Sequence, residues 1–177
     1  WDIKPGNVMV DRGGNVYLAD FGIARHAESS TTTLPGAGTT AYMAPEQIRE
    51  EPVTPVTDIY ALGVMLFEML TGRRPFRGDD DLLESSGKST SERLRRAHLS
   101  LTPPNPREFN PDLPDSLASV ILKSLNKHPA DRYHSALEFL SAIYEAGNLD
   151  PITIQSRVNV QNFDALLSPQ NQESQTI

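Results

Sequence analysis

Four polar side chains near the start of the sequence could together transfer a phosphoryl group. Asp2, Lys4 and Asn7 stand within one short stretch, and Asp20 precedes a Phe-Gly pair thirteen residues after Asn7. Phosphoryl transfer needs a carboxylate to orient the attacking hydroxyl, oxygen ligands for Mg²⁺ and a cation for the phosphate charge. The residue types and their close spacing therefore point to this chemistry.

Two short predicted strands would hold these side chains together. The apolar runs at 8–10 and 16–18 flank an Arg-Gly-Gly-Asn sequence at 12–15, which is typical of a hairpin turn. Such a hairpin would place the three N-terminal polar residues on one side and Asp20 on the other. Residues 23–43 are rich in Ser, Thr, Gly and Ala, and they predict a long functional loop.

Helical periodicity dominates the rest of the sequence up to residue 146. The strongest pattern covers 57–71, where apolar residues occupy nearly every face and so predict a buried helix that ends at Gly72. A capping box at 135–138 predicts the start of the last helix, which should stop at Gly147. Five prolines between residues 103 and 114 predict an extended loop. The other helices are predicted at 79–98, interrupted by a polar insert at 85–91, and at about 117–125.

The overall composition excludes several classes of protein. A length of 177 residues allows one domain plus a tail, and a hydrophobic fraction of 38% can form a core. The net charge of −7 argues against nucleic acid as a partner, since phosphate backbones attract basic surfaces. The absence of Cys excludes disulfides and Cys-ligated zinc, and no run of 18 apolar residues could span a membrane.

The composition changes at residue 147. Residues 147–177 are rich in Asn, Gln and Ser and carry few charges. Such a segment buries too little apolar surface to offset the entropy lost on ordering. We therefore expect a folded region at 1–146, followed by a poorly ordered polar linker or tail at 147–177.

Four motifs occur in an order that resembles the serine/threonine protein kinases of the bacterial, eukaryotic-like group. They are Asp-Ile-Lys-Pro-Gly-Asn at 2–7, Asp-Phe-Gly at 20–22, Gly-Thr-Thr-Ala-Tyr-Met at 38–43 and Ala-Pro-Glu at 44–46. A single triplet of this kind arises by chance, but four in sequence, each on the element type it requires, do not. The resemblance covers about residues 1–146. It implies an α+β protein kinase fold, of which this chain is the mostly α-helical C-terminal lobe with a small β-hairpin by the catalytic loop.

The resemblance also implies a role for each residue of the site. Asp2 matches the catalytic base, and Lys4 matches the lysine that contacts the transferred phosphate. Asn7 and Asp20 match the ligands of Mg²⁺, so the implied cofactors are ATP and Mg²⁺. Thr39 lies in the matching substrate-docking loop, where its hydrogen bonds near the catalytic base favour Ser or Thr acceptors. The implied partners are protein substrates that carry these hydroxyls.

Three further matched residues are implied to be structural. Glu46 and Arg132 resemble the family's buried ion pair, and Asp58 resembles the aspartate that receives backbone N–H groups from the catalytic loop. The alternative for the acids is an ordinary surface position. The structural interpretation is favoured because Arg132 lies in a His-Pro-Ala-Asp-Arg-Tyr segment at 128–133 that also fits the family.

The loop between the metal motif and the docking loop carries candidate phosphorylation sites. Thr31, Thr32 and Thr33 could be autophosphorylated, and a solvated flexible stretch is the alternative. Trp1 stands where most of these kinases carry an arginine that pairs with a phosphate on this loop. That contact is then lost, comes from elsewhere, with Arg25 as a candidate, or is obscured by truncation of the sequence.

The resemblance predicts a fragment of a kinase. The Gly-rich loop and the strand lysine that grip ATP in such kinases have no counterpart in these residues. We therefore expect the missing N-terminal lobe of the same chain to be a partner, and this chain alone to bind Mg-ATP very weakly. The predicted function is that of a serine/threonine protein kinase, and the alternative is a non-catalytic, kinase-like module that binds proteins. The expected location is cytoplasmic, and full-length members of the group are often tethered to a membrane by a segment beyond the kinase domain.

Overall fold

Helices dominate the part of the chain that the structure describes, which comprises residues 2–19, 40–79 and 89–149 of this computed structural model. The helices are α1 (Pro45–Ile48), α2 (Pro55–Thr71), α3 (Thr90–Ser100), α4 (Asp115–Ser124) and α5 (Ala136–Ala146), and the strands are β1 (Val8–Val10) and β2 (Val16–Leu18). Short 3-10 turns occur at Pro5–Asn7, Pro106–Glu108 and Pro129–Asp131. Within these described ranges, no helix is both long and apolar enough to cross a membrane.

Strands β1 and β2 form the predicted antiparallel hairpin. The carboxylate of Asp11 accepts the backbone N–H groups of Gly13 and Asn15 and so closes the turn. Gly14 has a φ of +78°, a conformation that residues with a Cβ rarely adopt. The register pairs Val8 with Leu18, Met9 with Tyr17 and Val10 with Val16.

Helix α2 is the centre of the helical region. It begins at Pro55, two residues earlier than predicted, because proline fits the first position of a helix and Thr54 precedes it as the N-cap. It ends at Thr71 as predicted, with Gly72 in the left-handed conformation. The main core cluster joins α2 to α4 and to the segment before it. Its buried residues are Ala44, Tyr60, Val64, Phe67, Leu113, Ala118, Ile121 and Leu125.

Helix α2 is exposed at one point and very closely packed at another. Met69 is 76% exposed, so the apolar pattern near the end of the helix does not correspond to complete burial. At Gly63, α2 and α4 approach so closely that an added Cβ would lie 2.0 Å from Ser124 Oγ. Glycine is therefore required at this crossing because any side chain would overlap α4.

Helix α3 begins inside the segment that the sequence predicted as a polar insert. Ser89 is its N-cap and exchanges hydrogen bonds with Glu92, which is a capping box. The helix continues to Ser100, and residues 80–88 lie outside the described part of the chain. The helix therefore begins at Thr90, inside the predicted insert, and ends two residues after the predicted end at 98. Asp79 is not helical, and the rest of the first predicted part lies outside the described residues.

The proline-rich segment was predicted to be an extended loop, but it contains a 3-10 turn. Asn105 caps the 3-10 turn at Pro106–Glu108 by accepting the backbone N–H of Arg107. Helix α5 begins after Ser135, whose Oγ accepts the N–H of Glu138 as predicted. At its end, Gly147 keeps a right-handed conformation, and Asn148 takes the left-handed one with a φ of +49°. The predicted domain boundary between residues 146 and 147 stays a prediction.

Candidate active site

The short stretch before β1 brings three predicted site residues into contact. Lys4 Nζ lies 2.6 Å from Asp2 Oδ2. Asn7 Nδ2 donates to the backbone oxygen of Asp2 at 2.7 Å and to Asp2 Oδ2 at 3.3 Å. The 3-10 turn that starts at Pro5 bends the chain back, with the N–H of Asn7 donating to the carbonyl of Lys4 at 2.9 Å. Lys4 and Asn7, which follow Asp2 by two and five residues, therefore both contact its carboxylate.

This carboxylate can be reached from solvent. The side chains of Asp2 and Lys4 are 23% and 25% exposed, whereas Asn7 is buried, with only 8% of its surface exposed. The contacts with Lys4 and Asn7 both involve Oδ2 of Asp2 and not Oδ1. Asn7 therefore holds the loop from the buried side, while the carboxylate of Asp2 keeps partial access to solvent.

Asn7 also fits the role of a metal ligand. Its amide nitrogen donates to Asp2, so the amide oxygen is the atom that could bind a metal. The N–H of Ala19 donates to the backbone oxygen of Asn7 at 2.7 Å, so the residue before Asp20 lies against Asn7. An amide oxygen and a carboxylate are hard oxygen ligands of the kind that Mg²⁺ prefers. The amide oxygen of Asn7 is therefore of the type that fits Mg²⁺, whereas Asp20 lies outside the described residues.

Several of the predicted site residues lie outside the described part of the chain. They are Trp1, Asp20, Arg25, Thr31, Thr32, Thr33 and Thr39. The residue after Thr39 is described: Thr40 is fully buried, and its Oγ1 lies 3.0 Å from Ser91 Oγ at the start of α3. Among the described residues, no cluster of three or more His, Cys, Asp or Glu side chains could hold a metal ion.

Glu46 and Arg132 form a buried, bidentate ion pair. Arg132 Nη1 and Nη2 donate to the two carboxylate oxygens of Glu46 at 2.7 and 2.8 Å, and both side chains are almost fully buried. Arg132 Nε also donates to the backbone oxygen of Asn126, and the guanidinium lies 4.9 Å from the ring centre of Tyr60. The pair thus joins α1 to the segment after α4 and to α2.

The charges of this pair are compensated. Burial raises the pKa of Glu46, but the hydrogen bonds and the charge of Arg132 outweigh burial, so the pKa lies below its usual value. Asp58, in the first turn of α2, differs because its half-buried position raises the pKa of its carboxyl. The expected role of Asp58 as an acceptor of backbone N–H groups from the catalytic loop stays a prediction.

Three polar contacts in the helical region were not predicted from the sequence. Tyr42 Oη donates to Glu68 Oε2 at 2.5 Å, and burial together with this carboxylate raises the pKa of the phenol. His98 is fully buried between Tyr60 and the backbone of Ala41. The partners in these contacts are 26 to 57 residues apart, and no local pattern joins them.

Comparison with known proteins identifies the class to which this fold and site belong. Residues 1–144 match the family described as protein kinase domain. The chain belongs to this family. The kinase family and the α+β kinase fold class expected from the sequence are both confirmed.

The similar proteins include bacterial serine/threonine kinases. The chain is 36% identical over 167 residues to serine/threonine-protein kinase PrkC of Bacillus subtilis, covering 93% of this chain and 24% of PrkC. It is 40% identical over 148 residues to serine/threonine-protein kinase PknD of Mycobacterium tuberculosis, covering 82% of this chain and 21% of PknD. The chain thus spans about a quarter or less of the length of these two relatives.

A solved structure shows the same fold. The crystal structure of the Mycobacterium tuberculosis PknI kinase domain, in a mutant form with a single substitution, is similar with a TM-score of 0.56 and 29% sequence identity. The similarity covers 82% of this chain and 44% of that kinase domain chain. The described helices and hairpin therefore correspond to part of a kinase domain.

Proposed function

We propose that the complete protein carrying this chain is a serine/threonine protein kinase, which transfers the γ-phosphate of ATP to Ser or Thr hydroxyls of protein substrates. The observation that carries the proposal is the convergence of Lys4 and Asn7 on the carboxylate of Asp2. A module that only binds proteins has no need for an acid, a cation and an amide held together at a solvent-accessible point. The names of the similar proteins support the choice of Ser and Thr as acceptors.

Each residue has a distinct part in this proposal. Asp2 would accept a hydrogen bond from the substrate hydroxyl and orient it for attack. Lys4, held 2.6 Å from Asp2, would also stabilise negative charge on the group being transferred. Asn7 and Asp20 would hold Mg²⁺, and Thr39 would help to position the substrate. Mg-ATP, when bound, supplies the phosphoryl group and a metal ion that neutralises its charge.

Other parts of the proposal concern the protein beyond this site. Residues 1–146 would form the C-terminal lobe of the kinase domain and would complete the ATP site with an N-terminal lobe from the same chain. Residues 147–177 would be a linker or tail. Thr31, Thr32 and Thr33 would be the sites of autophosphorylation. The place of catalysis would be the cytoplasm, where ATP is available.

The decisive test is Asp2→Asn in the complete protein. General base catalysis is worth about 10²- to 10⁴-fold, so the rate of phosphate transfer to protein should fall by about that factor, while the affinity for Mg-ATP should change little. Asp112→Asn is the matched control, because Asp112 is exposed and lies in the helical region away from the catalytic loop. Transfer of labelled phosphate to a mixture of basic and acidic proteins is the measurement.

The alternative function gives a different result in the same experiment. If the protein is a non-catalytic, kinase-like binding module, wild type and both variants transfer no phosphate, and the cellular role survives the Asp2→Asn change. Equal transfer rates in wild type and Asp2→Asn would instead show that Asp2 has no catalytic part. Only a large loss in Asp2→Asn alone supports the kinase function proposed for this site.

A further inference from the structure

The segment from Thr40 to Met43 is held inside the helical region although it directly follows the docking residue Thr39. Thr40 and Ala41 are almost fully buried, and Met43 is buried as well. The side chain of Ala41 packs against Phe76 and against residues of α3. Closely packed interiors do not deform easily. The position of this buried segment therefore affects where the adjoining docking residue, and the substrate that it binds, can lie.

His98, on α3, fixes this segment by a hydrogen bond to its backbone. Its Nε2 lies 3.1 Å from the carbonyl oxygen of Ala41, and its Nδ1 lies 2.9 Å from Tyr60 Oη. A carbonyl can only accept a hydrogen bond, so Nε2 must carry the proton. In a neutral imidazole Nδ1 is then the acceptor, and Tyr60 donates to it. For the neutral ring, the two contacts therefore select the tautomer with the proton on Nε2.

The surroundings of His98 favour this neutral form. The imidazole is 0% exposed and meets the edge of Phe76 at 5.1 Å between ring centres. Lys127 lies close by, with Nζ 4.5 Å from the ring centre of Phe76. Burial and the charge of Lys127 both disfavour a second proton on His98. The bond to Ala41 is thus a fixed feature of the folded chain.

A second contact from α3 reaches the neighbouring residue. Ser91 Oγ lies 3.0 Å from Thr40 Oγ1, so the first and last turns of α3 each contact the same segment. Ser91 contacts a side chain and His98 contacts the backbone. The position of the segment therefore depends on α3, an element that carries none of the residues assigned to the chemistry.

We propose that His98 is a positioning residue for the protein substrate: by donating Nε2–H to the Ala41 carbonyl while accepting from Tyr60, it holds the segment from Thr40 to Met43 in the position that allows the substrate to bind. The inference rests on the proposed kinase function. It assigns His98 no contact with ATP or with the reacting atoms. The loss of this bond should therefore weaken the binding of the protein substrate and leave the chemical step largely unchanged.

Two amide variants of His98 separate this role from general stability. The amide of Gln can place a nitrogen near the position of Nε2, whereas the shorter Asn overlaps only Nδ1. In the complete protein, His98→Asn should raise KM for the protein substrate about two- to tenfold, the value of one hydrogen bond. His98→Gln should stay within about twofold of wild type. KM for ATP and kcat should change little in both variants.

A measurement without activity tests the same contact in the 177-residue chain. The N–H of Met43 donates to the carbonyl of Thr40 at 3.3 Å, and its hydrogen exchange reports whether the segment stays closed. Exchange at Met43 should be about two- to tenfold faster in His98→Asn and in Tyr60→Phe than in wild type, and close to wild type in His98→Gln. Tyr60→Phe removes a single hydroxyl and keeps the ring, so the test remains available if His98→Asn does not fold.

The outcomes distinguish failure of this inference from failure of the proposed function. If the complete protein phosphorylates no protein, the kinase function fails, and Met43 exchange still decides whether His98 holds the segment. Unchanged exchange in Tyr60→Phe, or equal KM values for the protein substrate in wild type and His98→Asn, would overturn the positioning role. Equal rises of KM in His98→Asn and His98→Gln would also overturn it, because the donor to Ala41 would then be irrelevant.

Discussion

The hairpin and the helices around α2 are stabilised in different ways. The apolar residues of β1 and β2 other than Val8 are exposed to solvent, and Val16 is 68% exposed. In α2 the same residue type, Val64, is 0% exposed and belongs to the main core. The hairpin is held instead by its backbone ladder and by the hydrogen bonds of Asp11 in the turn.

The residues proposed for the chemistry lie in the less buried of these two regions. Asp2, Lys4 and Asn7 belong to the region with few buried apolar contacts, and local polar bonds hold them. The helical region provides packing, the buried ion pair and the His98 contact. Equivalent substitutions should therefore cost much more in the helical region than in the hairpin, and their order of effect tests the comparison.

The largest effect on stability should come from Glu46→Gln. The change leaves Arg132 charged and buried without a carboxylate, which costs about 3–5 kcal/mol of the free energy of unfolding. Urea unfolding of the 177-residue chain followed by circular dichroism measures it. Asp79→Asn is the control, because its ion pair with Arg77 is about half exposed and solvent screens it. Equal stability of wild type and Glu46→Gln would show that the pair does not hold the helical region.

One substitution made in both regions compares them directly. Val64→Thr buries a hydroxyl in the core and should cost about 1–3 kcal/mol. Val16→Thr places the same hydroxyl in solvent and should change the free energy of unfolding by less than about 0.5 kcal/mol. The two variants should be measured by urea unfolding under identical conditions. If the costs are similar, the hairpin contributes to the core more than its exposure indicates.

A smaller effect is expected on the pH dependence of stability. Burial and the charge of Lys127 lower the pKa of His98 from 6.5 to about 3. Between these values the unfolded chain binds a proton that the folded chain does not, so stability decreases as the pH falls below 6.5, by about 1.4 kcal/mol per pH unit. His98→Gln should lose this part of the slope.

The measurement is the free energy of unfolding of wild type and His98→Gln at about pH 7 and about pH 5.5. The carboxylates titrate in both proteins, so the difference between the two slopes isolates His98. The exposed Asp11 in the hairpin contributes equally to both. Equal slopes would show that His98 is accessible to protons in the folded chain and that the helical region is less closed than its packing indicates.

Local signals explain what could be predicted from the sequence. The hairpin follows from two apolar runs around a Gly-rich turn, and the end of α2 follows from Gly72, since each depends on neighbouring residues. At the other end of the same helix, Pro55 is an equally local signal that was missed. Glu46 and Arg132 are 86 residues apart, and only the resemblance to protein kinases brought them together before the structure did.

Long-range contacts account for most of what could not be predicted. His98 and Ala41 are 57 residues apart, and a single histidine among apolar residues gives no indication of its partner. The left-handed residue after α5 is Asn148 and not Gly147, because Leu149 N–H bonds the carbonyl of Tyr144 and sets where the chain reverses. The His98 contact depends on how distant elements pack, whereas the end of α5 depends on a local hydrogen bond that the residue types alone do not specify.

The close crossing of α2 and α4 has a consequence for building chimeric kinases. Position 63 has no room for a side chain because Ser124 occupies the space next to it. A recombination point placed between these positions joins a residue 63 from one parent to a residue 124 from another. Such chimeras require glycine at position 63 wherever position 124 carries serine or a larger residue, so the pair should be inherited together when segments are exchanged between related proteins.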